Sequence, residues 1–169
     1  MRLIVDGYNL LHVGRSLKQL SSVELQLERD QLIRELSAYR QLNPLDITVV
    51  FDGWQGGWST EKKERKNGIE LIFSKLGEKA DEVIKRLVRE EGAGVMVVTS
   101  DREISKYAEK MAIAVIPSDQ FRDKMTGSAF EIEKGAGEEE ETVGEGKRKG
   151  PSRRLSKREK RLRAALKKL

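Results

Sequence analysis

Three times this chain runs through a short apolar, β-branched stretch and stops on an aspartate. The runs are RLIVD ending at Asp6, DITVVFD ending at Asp52 and VMVVTSD ending at Asp101. Short Val- and Ile-rich runs of this kind read as strands buried on both faces, the pattern of a parallel sheet. Parallel strands need long crossovers between them, and the intervening segments carry helical signals. Ser21-Ser22-Val23-Glu24 has capping-box spacing. Leu25, Leu32, Ile33, Leu36 and Tyr39 then recur at helical spacing until Asn43-Pro44 stops the helix. Ala80, Val83, Ile84, Leu87 and Val88 share one face of a second helix closed by Gly92. REISKYAEKMA is a third helix, IAVIPSD a further strand, and Asp119-Gln120-Phe121 opens a short helix or turn. IELIFS reads as a short edge strand. The preceding GWQGGWSTEKKERKNG, rich in glycine and charge, reads as a mobile loop. The alternation predicts an open parallel α/β sheet with helices on both faces.

Charge divides the chain. Lys147–Leu169 holds twelve Lys or Arg against one acid, Glu159, so residues 1–146 carry about −6 of the whole-chain +5. A basic tail favours phosphate-rich partners, because each contact releases counterions. An acidic body repels the same partner unless cations neutralise part of it, which hints at a metal site. The glycine- and charge-rich stretch 131–155 reads as a flexible linker. It separates a domain over 1–130 from a basic helix over 156–169, opened by the capping box Ser156-Lys157-Arg158-Glu159. Its apolar stripe, Leu162, Ala165, Leu166 and Leu169, is thin, and a helix this short is marginal alone. It is expected to order against a partner. No apolar run approaches the roughly 18 residues that span a membrane, and Asp6 and Asn9 near the start argue against a secretory signal. With no cysteine, disulfides and thiolate metal sites are excluded. The cytoplasm is the expected compartment.

The three strand-terminal acids matter because open parallel sheets bind ligands at the carboxyl ends of their strands, where strand order reverses. If those strands are neighbours, Asp6, Asp52 and Asp101 converge, and Asp81, in the first turn of a helix, reaches the same edge. Each acid also has a plainer reading. Asp101 can cap the next helix, Asp52 can serve a turn, and Asp81 can favour a helix dipole. Asp6 is the hardest to explain that way, since a carboxylate buried at a central strand end needs partners. Clustered carboxylates without Cys or His suit hard cations, Mg2+ or Mn2+, and such a site suits phosphoryl transfer.

DGYN at Asp6–Asn9, VVFDG at Val49–Gly53, ADEVI at Ala80–Ile84 and VTSDRE at Val98–Glu103 together resemble the NYN domain family. The nearest branch is that of the bacterial YacP-like ribonucleases, and the resemblance covers roughly residues 1–125. It implies a PIN-like fold and divalent-metal-dependent ribonuclease activity. It further implies Asp6, Asp81 and Asp101 as metal-binding acids, Asp52 as the strand-two acid, and Asn9 as the residue that orients Asp6 or a phosphate. Ribosome association is also a family expectation, one that would suit the basic tail.

Beside the acids, Trp54 and Trp58 offer faces on which bases could stack. Lys62, Lys63, Arg65, Lys66, Arg102 and Lys106 could contact the RNA backbone. Each has the alternative of packing or of solvating a loop. His12 reads as a structural or solvated residue. A dinucleotide-binding domain would need a glycine-rich turn after the first strand, and DGYNLLHVG has no GxGxxG. An aspartyl-phosphate phosphatase would need an acid where Tyr8 stands, and the pattern of a receiver-type signalling domain is missing too. The remaining rival is a non-catalytic RNA- or ribosome-binding adaptor on the same fold.

Overall fold

The computed structural model describes residues 1–14, 17, 20–53, 58–134 and 156–169, with the side chains of 128–134 excepted. Trp54 and most of the 131–155 segment lie outside the described residues. The elements in chain order are β1 (Arg2–Asp6), α1 (Gly7–Leu11), α2 (Ser22–Leu42), β2 (Asp46–Phe51), β3 (Lys62–Lys66), β4 (Ile69–Phe73), α3 (Ala80–Glu91), β5 (Val95–Val98), α4 (Arg102–Lys110), β6 (Ala114–Ile116), α5 (Ser118–Lys134) and α6 (Lys157–Leu166).

The six strands form one sheet in the order β3-β4-β2-β1-β5-β6, parallel throughout except for β3. This is the PIN-like α/β arrangement. Strand order reverses around β1, which has β2 on one side and β5 on the other, so the three aspartate-terminated strands are adjacent. Their central residues are fully buried because both faces are covered. On one face Leu3, Val5, Val49, Phe51 and Leu71 pack with α1, α2, α5 and α6. On the other, Ile4, Val50, Ile72 and Val97 pack with α3 and α4. The alternation of Leu3 and Val5 against Ile4 is the period-two pleat of a strand read from both sides.

Helix starts follow the local chemistry. Ser21 and Glu24 close a reciprocal capping box on α2, and Ser156 and Glu159 do the same on α6. Gly92, at φ 60°, ends α3. α5 is longer than the short helix or turn that Asp119-Gln120-Phe121 suggests.

Two segments depart from the sequence reading. Residues 62–66, expected in a mobile loop, form strand β3, which pairs antiparallel with β4. Asn67 and Gly68, both with positive φ (52° and 80°), make the two-residue turn. Asn-Gly is the residue pair that such a left-handed hairpin turn favours. β4 is therefore an inner strand, and the sheet margin is β3, whose five residues are all exposed and charged, KKERK. Lysines on a margin discourage pairing with another chain. The second departure is α6, expected to order on a partner. It packs against β6 of its own domain, burying Ala165 and Leu169. The Tyr39 hydroxyl donates to the Leu169 carbonyl at 2.8 Å.

Candidate active site

The carboxyl ends of β1, β2 and β5 open onto one edge, and the aspartates arrive there by different routes. Asp6 ends β1. Its Oδ1 accepts from the Asn9 backbone N–H at 3.1 Å, and its Oδ2 accepts from the Thr99 hydroxyl at 3.0 Å. It is 7% exposed. Asp52 follows β2 and its Oδ1 accepts from the Ala80 N–H at 2.6 Å, so it caps α3 from a distant strand. Asp81 is in the first turn of α3, and its carboxylate, among the described residues, takes part in no hydrogen bond or ion pair. Asp101 caps α4, its Oδ1 accepting from the Glu103 and Ile104 N–H groups at 2.7 and 2.9 Å. The capping reading of Asp101 is thus a true description of one oxygen, while Asp52, read as a turn residue, instead gives one oxygen to the start of α3. The second carboxylate oxygen of each takes no part in the cap.

Electrostatics bind the set together. Burial raises the Asp6 carboxyl, against its two hydrogen bonds, and the negative charges of Asp81 and Asp101 raise it further, to about 6. Asp81 is also raised, by burial first and then by Asp101, with Asp52 and Glu103 adding to the effect and Lys85 opposing it. Acids that shift one another in this way share one neighbourhood. A buried carboxylate whose neighbours are other carboxylates is costly. Among the described residues no Lys or Arg forms an ion pair with Asp6, Asp52, Asp81 or Asp101.

Asn9 acts as a brace. Its side-chain carbonyl accepts from the Ser100 N–H at 2.9 Å and the Ser118 hydroxyl at 3.0 Å, while its backbone N–H holds Asp6. It ties the ends of β1 and β5 to the start of α5. Ser118 in turn donates from its N–H to the Ser100 hydroxyl at 3.0 Å. Thr99, which sequence reasoning passes over, is 1% exposed and links two of the acids. Its hydroxyl donates to Asp6 and accepts from the Asp101 N–H at 3.0 Å. The serine and threonine of VVTSD are the sequence trace of this brace. Gly7, the residue after Asp6, is explained by a close approach. A Cβ built there would lie 2.3 Å from the Phe51 ring.

The other predicted residues scatter. Arg102 and Lys106 are exposed on α4 just past Asp101. Trp58 is partly buried, packed edge-on against Phe73 at 5.3 Å, with Lys62 Nζ 4.8 Å from its ring centre. Lys62, Lys63, Arg65 and Lys66 lie on β3. Lys62 pairs with Glu64, Lys63 with Glu61 and Lys66 with Asp30. His12 is exposed. Tyr8 packs on Phe51 and receives a hydrogen bond from the buried Arg29.

A divalent cation fits the donor set without a finished cage. Among the described residues no group of three acidic or histidine side chains closes on a common point. The donors are all carboxylate oxygens, the type hard cations take, and Mg2+ usually keeps several waters and uses only one or two protein carboxylates. Asp6, buried and unpaired, with Asp81 nearby, offers that minimum.

Comparison with known proteins agrees with the fold and motifs. The family model described as the YacP-like NYN domain matches residues 3–168, which takes in α6. A protein of Bacillus subtilis (strain 168) named "Uncharacterized protein YacP" is 34% identical over 114 residues, 66% of this chain. That match spans 64% of the relative's own length, under two thirds of it. The crystal structure of Rae1 (YacP) from Bacillus subtilis is similar at a TM-score of 0.64 and 26% identity, covering 80% of this chain and 79% of that one. A tryptophan-to-leucine variant of the same protein gives 0.65 and 25%, covering 78% and 79%.

Proposed function

We propose that this chain, which belongs to the YacP-like NYN domain family, is a divalent-metal-dependent ribonuclease that cuts RNA internally. Membership makes it nuclease-like. The metal, the RNA substrate and the internal cut are our reading, and so is a cytoplasmic site of action on ribosome-associated mRNA. The observation that carries the reading is Asp6: a carboxylate at the strand-order reversal, raised first by burial and further by Asp81 and Asp101, and paired with no cation among the described residues. Such an arrangement is unfavourable by itself and becomes favourable when a cation enters.

In this reading Asp6 and Asp81 would hold Mg2+ or Mn2+, with water filling the other positions and Asp101 and Asp52 completing the acidic surround. Bound there, the ion would orient and activate water and stabilise charge on the phosphate. The remaining work falls to the chain. Thr99 and Asn9 hold the Asp6 carboxylate in one orientation, one bond to each oxygen. Asp52 and Asp101, by capping α3 and α4, fix where the helix starts stand. Arg102 and Lys106, exposed on α4, would meet the phosphate backbone as it leaves the edge. Among the described residues no helix is long and apolar enough to cross a membrane.

The test is cleavage of RNA by purified protein with Mn2+, beside Asp6→Asn and Asp81→Asn. Wild type should cut and both variants should lose at least ~100-fold, since a metal's charge stabilisation is worth several kcal/mol. Equal cutting by all three, or none by any, would favour the adaptor reading.

The basic α6 supports an RNA or ribosomal partner. Lys157, Lys160, Arg161 and Arg163 are exposed on it and Lys167 and Lys168 just past its end, while its apolar side faces β6. Because α6 is part of the folded domain, charge removal tests it better than deletion. Changing Lys160, Arg163 and Lys167 to Gln should weaken RNA binding and reduce the salt slope by about 2–3. An unchanged slope would discard α6 as a phosphate contact.

A further inference from the structure

Lys85 lies on α3, one turn beyond Asp81. Its ammonium donates to Glu82 at 3.1 Å and, across the gap between helices, to Glu103 in the first turn of α4. The lysine side chain is only 14% exposed, whereas Glu82 and Glu103 are 62% and 74% exposed. A long side chain on a helix surface ordinarily keeps its charge in water, and an exposed ion pair ordinarily contributes little. Here the stem is held down between two packed helices, and among the described residues its bond to Glu103 is the side-chain hydrogen bond that joins α3 to α4, beside their shared apolar packing.

The position of that link matters. Asp81 stands in the first turn of α3 and Asp101 caps α4, and their charges repel. Asp101 is anchored by its own cap, and α3 is anchored at its first residue through Asp52. Asp81 itself has no hydrogen-bond anchor among the described residues. A cation four residues on, tied to the neighbouring helix, opposes the spreading of the two turns.

We propose that Lys85 is a positioning residue: its bond to Glu103 sets the separation of Asp81 from Asp101 and so prepares the edge for a divalent cation. This rests on reading that edge as a cation site. Sites held in shape before the ligand arrives bind it more tightly, because less ordering is left to do.

Pure electrostatics makes the opposite forecast, which gives the test its edge. Lys85→Met removes a positive charge near the acids and, by charge alone, should tighten cation binding. Glu103→Gln removes a negative charge and, by charge alone, should weaken it. If the link is what counts, both weaken it. The measurement is Mn2+ affinity, from the free-Mn2+ electron paramagnetic resonance signal, with the thermal midpoint of each metal-free variant alongside. Each single variant should bind Mn2+ about tenfold more weakly, the lower end for losing a supporting partner of a metal ligand. The double variant should be no worse than either single, since both remove the same interaction. Lys85→Arg should keep most of the affinity. Tighter binding by Lys85→Met, or unchanged binding by both singles, overturns the proposal while leaving the cation site standing. Should Lys85→Met be poorly folded, Lys85→Gln removes the same charge on a polar side chain and takes its place, because charge alone already forecasts the Glu103→Gln loss. Wild-type protein that binds no Mn2+ overturns the cation site itself, and this proposal with it.

Discussion

The two ends of the same parallel sheet handle charge in opposite ways. At the end where the strands start, Arg2 reaches into a cleft and donates to Glu70, Glu91 and the Thr48 hydroxyl. Thr48 in turn donates to Glu70 at 2.8 Å. Arg2, Glu70 and Glu91 each have an opposite charge beside them. At the end where the strands finish, acids gather around a buried acid, and the hydrogen bonds they accept come from neutral N–H and O–H groups. The first end is complete as it stands. The second carries an unfavourable charge arrangement that the fold tolerates and a ligand would relieve. That contrast, more than the count of acids, separates a structural ion-pair network from a candidate site.

The largest break in the contrast should come from Asp6→Asn in metal-free protein. The Asp6 carboxyl sits at about 6 in the folded chain against 3.8 ordinarily. A raised carboxyl favours the folded state while it is protonated. Its contribution is therefore present below pH 4 and is lost as pH climbs through about 6. At pH 8 the ionised group costs about 3 kcal/mol. Asn mimics the protonated acid, so the variant should unfold at a higher temperature than wild type at pH 8 and at the same temperature below pH 4. Saturating Mn2+ should raise wild type alone. Denaturation across this pH range with and without the ion decides it, and a variant less stable at pH 8 would mean that the Asp6 charge is already compensated.

Thr99→Val sharpens the same point at smaller scale. It preserves shape but removes the hydroxyl that serves both Asp6 and the Asp101 N–H. Mn2+ affinity should fall by about tenfold or more, with a stability loss of about 1–3 kcal/mol. Titration of the ion beside a melt would show both. The smallest effect belongs to the other end. Arg2 is 29% exposed at its side chain, and Arg2→Met should cost about 1 kcal/mol by chemical denaturation while leaving Mn2+ affinity where it was. A shift in affinity would show that the two ends communicate.

The placement of the four acids was legible because strand ends and helix starts are legible. Asp6, Asp52 and Asp101 each close a Val- and Ile-rich run, and Asp81 follows a recognisable helix opening. Their arrival at one edge of the sheet needed only the adjacency of three strands. Thr99 and Ser118 were not legible, because their partners are 93 and 109 residues away and depend on how β1, β5 and α5 meet. β3 hid for a different reason. KKERK has no apolar alternation to betray a strand, and its one clear signal was the turn, Asn67-Gly68. The stripe on α6 was visible, but not that its cover was β6, since a thin apolar face is equally suited to a partner and to the chain's own sheet.

The docking of α6 also bears on how the molecule behaves in a crowd. A sheet has two margins, and this one guards them by different means. One is lined with lysine and arginine on β3, while the other, β6, has the final helix lying against it. Clip the chain anywhere before that helix and β6 becomes an unguarded ladder of amide groups, able to recruit a strand from another molecule. Shortened forms should therefore clump as concentration rises, long before the sheet itself has come apart.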